Sequence, residues 1–252
     1  MYLEIQNLRV LYDRAMILNQ VSLTVDAGEL VGLVGPNGAG KSTFLRALAG
    51  LIRWEKDTLK GTVLGRITLE GSIRFEGEEI INLAGHEIVK KGIVLCPERG
   101  RPFKEMTVLE NLEAGAYLIK DQKLKKETLE KVFSLFPVLE ARRNQMSGTL
   151  SGGERSMLAI GRGLMTQSNL LLIDEPSVGL APKIKKELFS RVKAIHETGN
   201  TILLVEQDVS FAFELASKNY VMSKGRIVAK ASAETLRSYD ILRETYLGVR
   251  KT

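Results

Sequence analysis

The sequence has one cysteine, two histidines, and no apolar run approaching the roughly 18 residues of a membrane-spanning helix. A lone Cys96 excludes an internal disulfide and leaves too few thiols for a cysteine-based zinc site. It closes the apolar run "GIVLC", where a free thiol behaves as a small hydrophobe and packs into a core. Internal repeats and low-complexity linkers are also missing. The opening "MYLEIQNLRV" has no basic stretch followed by an apolar one, so no secretory signal is read and a soluble, cytosolic protein is expected. Charge of neither sign dominates: 36 Lys and Arg against 30 Asp and Glu give +6. That mild excess suits phosphate ligands, an acidic partner or a membrane face, and is too dispersed to argue for nucleic acid.

What is present is globular. Hydrophobic residues make up 44% and charged residues 26% of the 252 positions, which excludes disorder and permits one large α/β domain or two smaller ones. Short β-rich runs come first: "LEIQNLRVLY", "VSLTV" and "LVGLVG". A helix is expected over residues 45–51, then hairpin strands with a loop between Gly50 and Gly77, then the strand "GIVLC". Residues from about 107 to 149 carry helical periodicity with almost no strand signal and read as a helical insertion. Next come a helix after "LSGGE", the strand "LLLID", the amphipathic helix "KIKKELFSRVKAIHETG" and the strand "TILLVEQ". The helix "VSFAFELAS" and a β pair turning at Lys224–Gly225 complete the order. Alternating strands and helices imply a largely parallel sheet covered on both faces. The lysine-rich stretch 183–193 reads as a solvated helix face.

Three motifs carry chemistry. "GPNGAGKST" satisfies the phosphate-loop pattern from Gly35 through Pro36, Asn37, Gly38, Ala39 and Gly40 to Lys41, Ser42 and Thr43. Gly38 and Gly40 let backbone N–H groups approach phosphate oxygens, and the helix starting near Lys41 aims its positive dipole end at them. Lys41 then bridges the β- and γ-phosphates while Ser42 ligates Mg²⁺. "LLLIDE" supplies an apolar strand ending in two acids: Asp174 to hold Mg²⁺, usually through water, and Glu175 to orient or deprotonate the attacking water. "LSGGERSMLAIGRGLM" places Ser151, Gly152 and Gly153 at the first turn of a helix, a second anion site. Two such helix starts would be redundant in a self-contained active site.

Together the three ordered motifs resemble the ATP-binding cassette (ABC) family, whose phosphate loop in one subunit faces the signature sequence of another. The resemblance spans Leu3 to about Leu247. It implies an α/β fold: a P-loop NTPase core with a mainly parallel sheet, an N-terminal antiparallel β subdomain and an inserted α-helical subdomain. The single ABC ATPase domain then divides into a nucleotide-binding core, 1–98 and 150–252, and a helical subdomain at about 99–149. It implies ATP and Mg²⁺ as cofactors. Tyr12 sits where an aromatic residue stacks on adenine. Pro97–Glu98 matches a loop that normally reads Pro-Gln and senses both Mg²⁺ and the transmembrane partner. "SVGLAP", 177–182, matches the loop that crosses the dimer interface. Gln207 matches the switch position, histidine in most members; His86 and His196 lie elsewhere and read as structural or solvated.

Glu98, "GLAP" and "VEQ" together look like the ATPase subunits of bacterial branched-chain amino-acid importers, as do "CPERGRPFKEMTVLENL" and the closing "TYLGV", 245–249. "PERGRPF" departs from that subfamily's usual "PEGR" form and 51–70 is longer than it needs; urea and short-amide importers share much of the pattern. The partners implied are transmembrane permease subunits, a second ABC ATPase subunit, identical or paralogous, and indirectly an extracytoplasmic solute-binding protein, with no nucleic acid. The expected location is cytoplasmic, peripheral on the inner face of the membrane. Two other classes stand beside this one: a soluble cassette protein acting on ribosomes or DNA, and a non-hydrolysing nucleotide-binding module. The first usually carries two cassettes or a coiled-coil insertion, and Asp174 and Glu175 argue against the second.

Overall fold

A computed structural model describes residues 1–59 and 66–231; residues 60–65 and the segment "TYLGV" fall outside the described residues. In chain order the elements are β1 (Leu3–Tyr12), β2 (Ala15–Val25), β3 (Leu30–Val34), α1 (Lys41–Leu48), α2 (Leu51–Leu59), β4 (Ile67–Phe75), β5 (Glu78–Glu79) and α3 (Gly85–Lys90). There follow β6 (Ile93–Cys96), α4 (Val108–Gly115), α5 (Gln122–Leu135), α6 (Pro137–Ala141), a 3₁₀ turn (Ser147–Thr149) and α7 (Gly152–Leu164). The last are β7 (Leu170–Asp174), α8 (Pro182–Glu197), β8 (Thr201–Glu206), α9 (Val209–Leu215), β9 (Lys218–Ser223) and β10 (Arg226–Ala231).

Two compact units divide the chain, one formed by residues 1–88 with the described residues from Leu203, the other by Val89–Ile202. In the first, β2-β1-β4-β5 form an antiparallel sheet. A second group runs β10-β9-β3-β8, with β3 parallel to β9 and β10 turned back antiparallel on β9. In the second unit, β6 and β7 pair in parallel from Ile93 opposite Leu170 to Cys96 opposite Ile173. The helices between residues 107 and 149 lie wholly inside this unit.

Sequence pattern explains the strands. β3 (LVGLV), β7 (LLLID) and β8 (TILLVE) are buried at every position, as continuous apolar runs in a sheet covered on both faces must be. β1 instead alternates buried with partly exposed residues, which suits a sheet with one wet face. On α8, Leu188, Phe189, Val192 and Ile195 are buried while Lys183, Lys186 and Lys193 are exposed, so the lysines do form a solvated face.

One expectation is corrected. Residues 51–59, read as part of a hairpin, form α2. Gly50 ends α1 at φ 71°, its N–H on the Ala47 carbonyl, and the Trp54 N–H returns to the Gly50 carbonyl to begin the new helix. Within α2, Arg53 pairs with Asp57 at 2.7 Å one turn on, Thr58 Oγ1 donates to the Trp54 carbonyl, and Ile52 is fully buried. The helix read over 45–51 is accordingly two helices broken at Gly50. Strand β4 covers the later part of the same stretch as expected.

Candidate functional site

The phosphate loop joins the end of β3 to the start of α1, all in the first unit. Gly38 and Gly40 take φ of 76° and 105°, values that other L-residues rarely adopt. At Gly35 a Cβ would stand 2.3 Å from the Met222 carbonyl oxygen, so a side chain there would displace backbone. The β9–β10 turn braces the loop: the Gly225 N–H donates to the Ala39 carbonyl at 2.9 Å, and the Asn19 N–H to the Gly225 carbonyl at 2.8 Å. Lys41 is 3% exposed, with its ammonium on the loop's own Gly35 and Pro36 carbonyls at 2.7 and 3.1 Å. The cation is thus already lodged in the loop. Ser42 and Thr43 follow in the first turn of α1, partly exposed.

Beside that turn opens a cleft of about 540 Å³ whose lining includes Tyr12, Thr43, Arg46, Trp54 and Glu55. The Tyr12 hydroxyl donates to Glu55 Oε2 at 2.8 Å, and Glu55 is ion-paired with Arg46. Gln207 follows the last residue of β8, exposed, its N–H on the Glu206 carboxylate at 3.2 Å.

In the second unit Asp174 ends β7 and Glu175 follows; they are 7% and 9% exposed. Glu175 takes φ 41°, left-handed backbone that costs a non-glycine residue about 1–3 kcal/mol. Ser151 caps α7 in a reciprocal box: its hydroxyl accepts from the Glu154 N–H, and Glu154 accepts from the Ser151 N–H at 2.8 Å. Arg142 holds the same glutamate at 2.8 Å. Gly152 and Gly153 open the helix, and Gly153 also answers to packing, since a Cβ there would stand 2.4 Å from Ile184 Cγ2 of α8.

Glu98 lies just beyond β6, a third exposed and paired with Arg99 at 3.1 Å. The three residues after it, Arg99, Gly100 and Arg101, all have positive φ. Arg162 of α7 fixes this turn, donating to the Gly100 and Arg101 carbonyls, both at 3.2 Å, and lying over the Phe103 ring at 5.2 Å. The sequence reading missed Arg162; an arginine inside a glycine-rich helix face was the signal available. Its guanidinium and the Cys96 thiol affect each other: burial lowers the first and pushes the second up to about 12, each partly countered by the other. Cys96 is a buried core thiol, as expected. His86 is exposed, and His196 sits near the Asn200 carbonyl at 3.4 Å.

Ser42 and Asp174, one in each unit, each offer the hard oxygen donor that a cation such as Mg²⁺ prefers. A cage of three or more His, Cys, Asp or Glu is absent among the described residues. No helix among them is long and apolar enough to cross a membrane.

A lysine-bearing glycine loop between a buried parallel strand and a helix start defines a phosphate-loop nucleotide-binding protein. Comparison with known proteins narrows the class. The ABC transporter family model matches residues 18–178. The high-affinity branched-chain amino acid transport ATP-binding protein BraG of Pseudomonas aeruginosa is 41% identical over 237 residues, covering 94% of this chain and 95% of its own. The probable branched-chain amino acid transport ATP-binding protein LivF of Archaeoglobus fulgidus is 34% identical with the same coverage. The solved ADP conformation of MJ1267, an ATP-binding cassette of an ABC transporter, superposes with a TM-score of 0.81 at 29% identity, over 98% of this chain and 99% of that one. The chain belongs to the ABC transporter family, as one of its ATP-hydrolysing cassettes.

Proposed function

We propose that this cassette drives an importer of branched-chain amino acids. The observation that carries this reading is the 41% identity to BraG along nearly the whole of both chains. In this reading Tyr12 stacks on adenine, residues 35–43 with Lys41 grip the phosphates, and Ser42, Glu98 and Asp174 serve Mg²⁺. The bound ion would neutralise phosphate charge. Glu175, held in its left-handed conformation, takes the proton of the attacking water, and Gln207 donates to the γ-phosphate. Ser151, Gly152 and Gly153 meet the nucleotide of a second ATPase subunit, identical or paralogous. The pair works on transmembrane permease subunits at the cytoplasmic face, fed by a solute-binding protein outside, and residues 99–149 act as the helical subdomain.

A transport assay decides between solutes. Cells lacking their own cassette but expressing this chain with its permease subunits should take up labelled leucine, isoleucine or valine, and Glu175→Gln should abolish uptake. Uptake of urea or a short amide instead would assign the chain to that related importer; the departure of Pro97–Phe103 from "PEGR" favours testing it. An expressed complex that carries none of these solutes would defeat the importer reading.

A further inference from the structure

The cleft beside α1 has a wall that the phosphate loop does not explain. Thr43, the last residue of that loop, is part of its lining, so the cleft adjoins the place where phosphates would be held. Its volume, about 540 Å³, lies within the usual range of small-molecule sites. One side is Tyr12 at the end of β1; another is α2, which contributes Trp54 and Glu55. The Glu55 carboxylate takes a donor on each oxygen, the Tyr12 hydroxyl on Oε2 and the Arg46 guanidinium on Oε1. Arg46 is three residues beyond Thr43 on α1. The carboxylate therefore ties the far tip of the Tyr12 ring to the helix that starts at the phosphates. Trp54 is 61% exposed, unusual for an indole, yet lines this same cleft.

We propose that α2 is a second wall of the purine site, in which Trp54 supplies another aromatic surface to the base and Glu55 is the positioning residue for the Tyr12 ring. This rests on the reading of Tyr12 as the base-stacking residue. The physical reason is preorganisation. A ring whose hydroxyl is tethered loses less freedom when a base stacks on it, so more of the stacking energy appears as affinity.

Trp54 is the chain's one tryptophan, so its fluorescence reports on this wall alone. ATP should change that fluorescence, while inorganic tripolyphosphate, which keeps the phosphates and lacks the base, should bind without doing so. By calorimetry, Glu55→Ala and Tyr12→Phe should each weaken ATP roughly three- to tenfold and leave tripolyphosphate unchanged. The double variant should be no weaker than either single one, because both remove the same tether. Glu55→Gln, whose amide oxygen can still accept from the hydroxyl but whose NH₂ then faces Arg46, should recover only part of the affinity lost in Glu55→Ala. Trp54→Ala should weaken ATP alone.

If Tyr12→Ala binds ATP as tightly as the parent, the base-site reading and this proposal fall together. If Tyr12→Ala weakens ATP but Glu55→Ala does not, or if saturating ATP leaves Trp54 fluorescence unmoved, only the second wall is overturned. Equal loss of ATP and tripolyphosphate in Glu55→Ala would make the residue a structural support of α1 and overturn it too.

Discussion

The proposed role of Gln207 puts a neutral amide at the switch position that the family resemblance assigns to it, where most members carry an imidazole. It lies just past β8 with its side chain exposed. A hydrogen bond to a charged group contributes about 1.5–3 kcal/mol, and each ~1.4 kcal/mol is tenfold in rate. If the bond is made in the transition state, Gln207→Ala should slow ATP turnover roughly ten- to a hundredfold. Gln207→His should retain most activity, since either residue donates. Steady-state rates with the permease partner present test this, and an alanine variant as fast as the parent would make Gln207 a spectator. Cys96 allows a prediction of another kind. Burial raises its pKa from 9.0 to about 12, so the folded state holds the proton more tightly than the unfolded one. The stability this contributes is complete below pH 9 and is lost as pH rises toward 12. Denaturant midpoints across that window should fall with pH in the parent, and fall less in Cys96→Ala.

Among the elements, the buried strands were the easiest to read. β3, β7 and β8 are unbroken apolar runs, and a run of four to six such residues bounded by glycine or acids allows few alternatives. The motif residues at their ends were legible for the same reason, because loop chemistry was fixed to a recognisable strand. α2 was not. Only Ile52 of its nine residues is fully buried, so no apolar stripe announces the helix, and glycines around it imitate turn punctuation. What makes it a helix is the break at Gly50, the Arg53–Asp57 pair and its packing, all invisible without the fold. The Tyr12–Glu55 bond spans 43 positions and has no local signature whatever. Gly50→Ala tests the break directly. A Cβ there would lie 3.0 Å from the Gly85 nitrogen and 3.1 Å from the Leu83 carbonyl oxygen, at a φ that disfavours side chains. The substitution should cost about 1–3 kcal/mol by chemical denaturation, against a few tenths at an unstrained surface site. Gly153→Ala should lose stability too, because its methyl would enter Ile184 before any question of phosphate arises.

For the molecule as a whole, the proposal gives each cassette two anion-binding helix starts, at the phosphate loop and at Ser151, and so calls for assembly with a second cassette. Glu175→Gln would remove the proposed base while keeping a hydrogen-bonding side chain, so the ATP-bound pair should accumulate. Size-exclusion chromatography with Mg-ATP should show a dimer for this variant and mostly monomer without nucleotide; a variant that remains monomeric at millimolar ATP counts against face-to-face assembly. The brace on the phosphate loop also has a consequence for synthesis. The Gly225 N–H that holds the Ala39 carbonyl is made 186 residues after the loop it supports, and β8 and β9, its neighbours on the sheet, also come late. A ribosome carrying a chain stalled near residue 200 has already translated every one of the three motifs, yet its nascent loop lacks that support. The loop gains that clamp only once Gly225 has been made, long after its own residues.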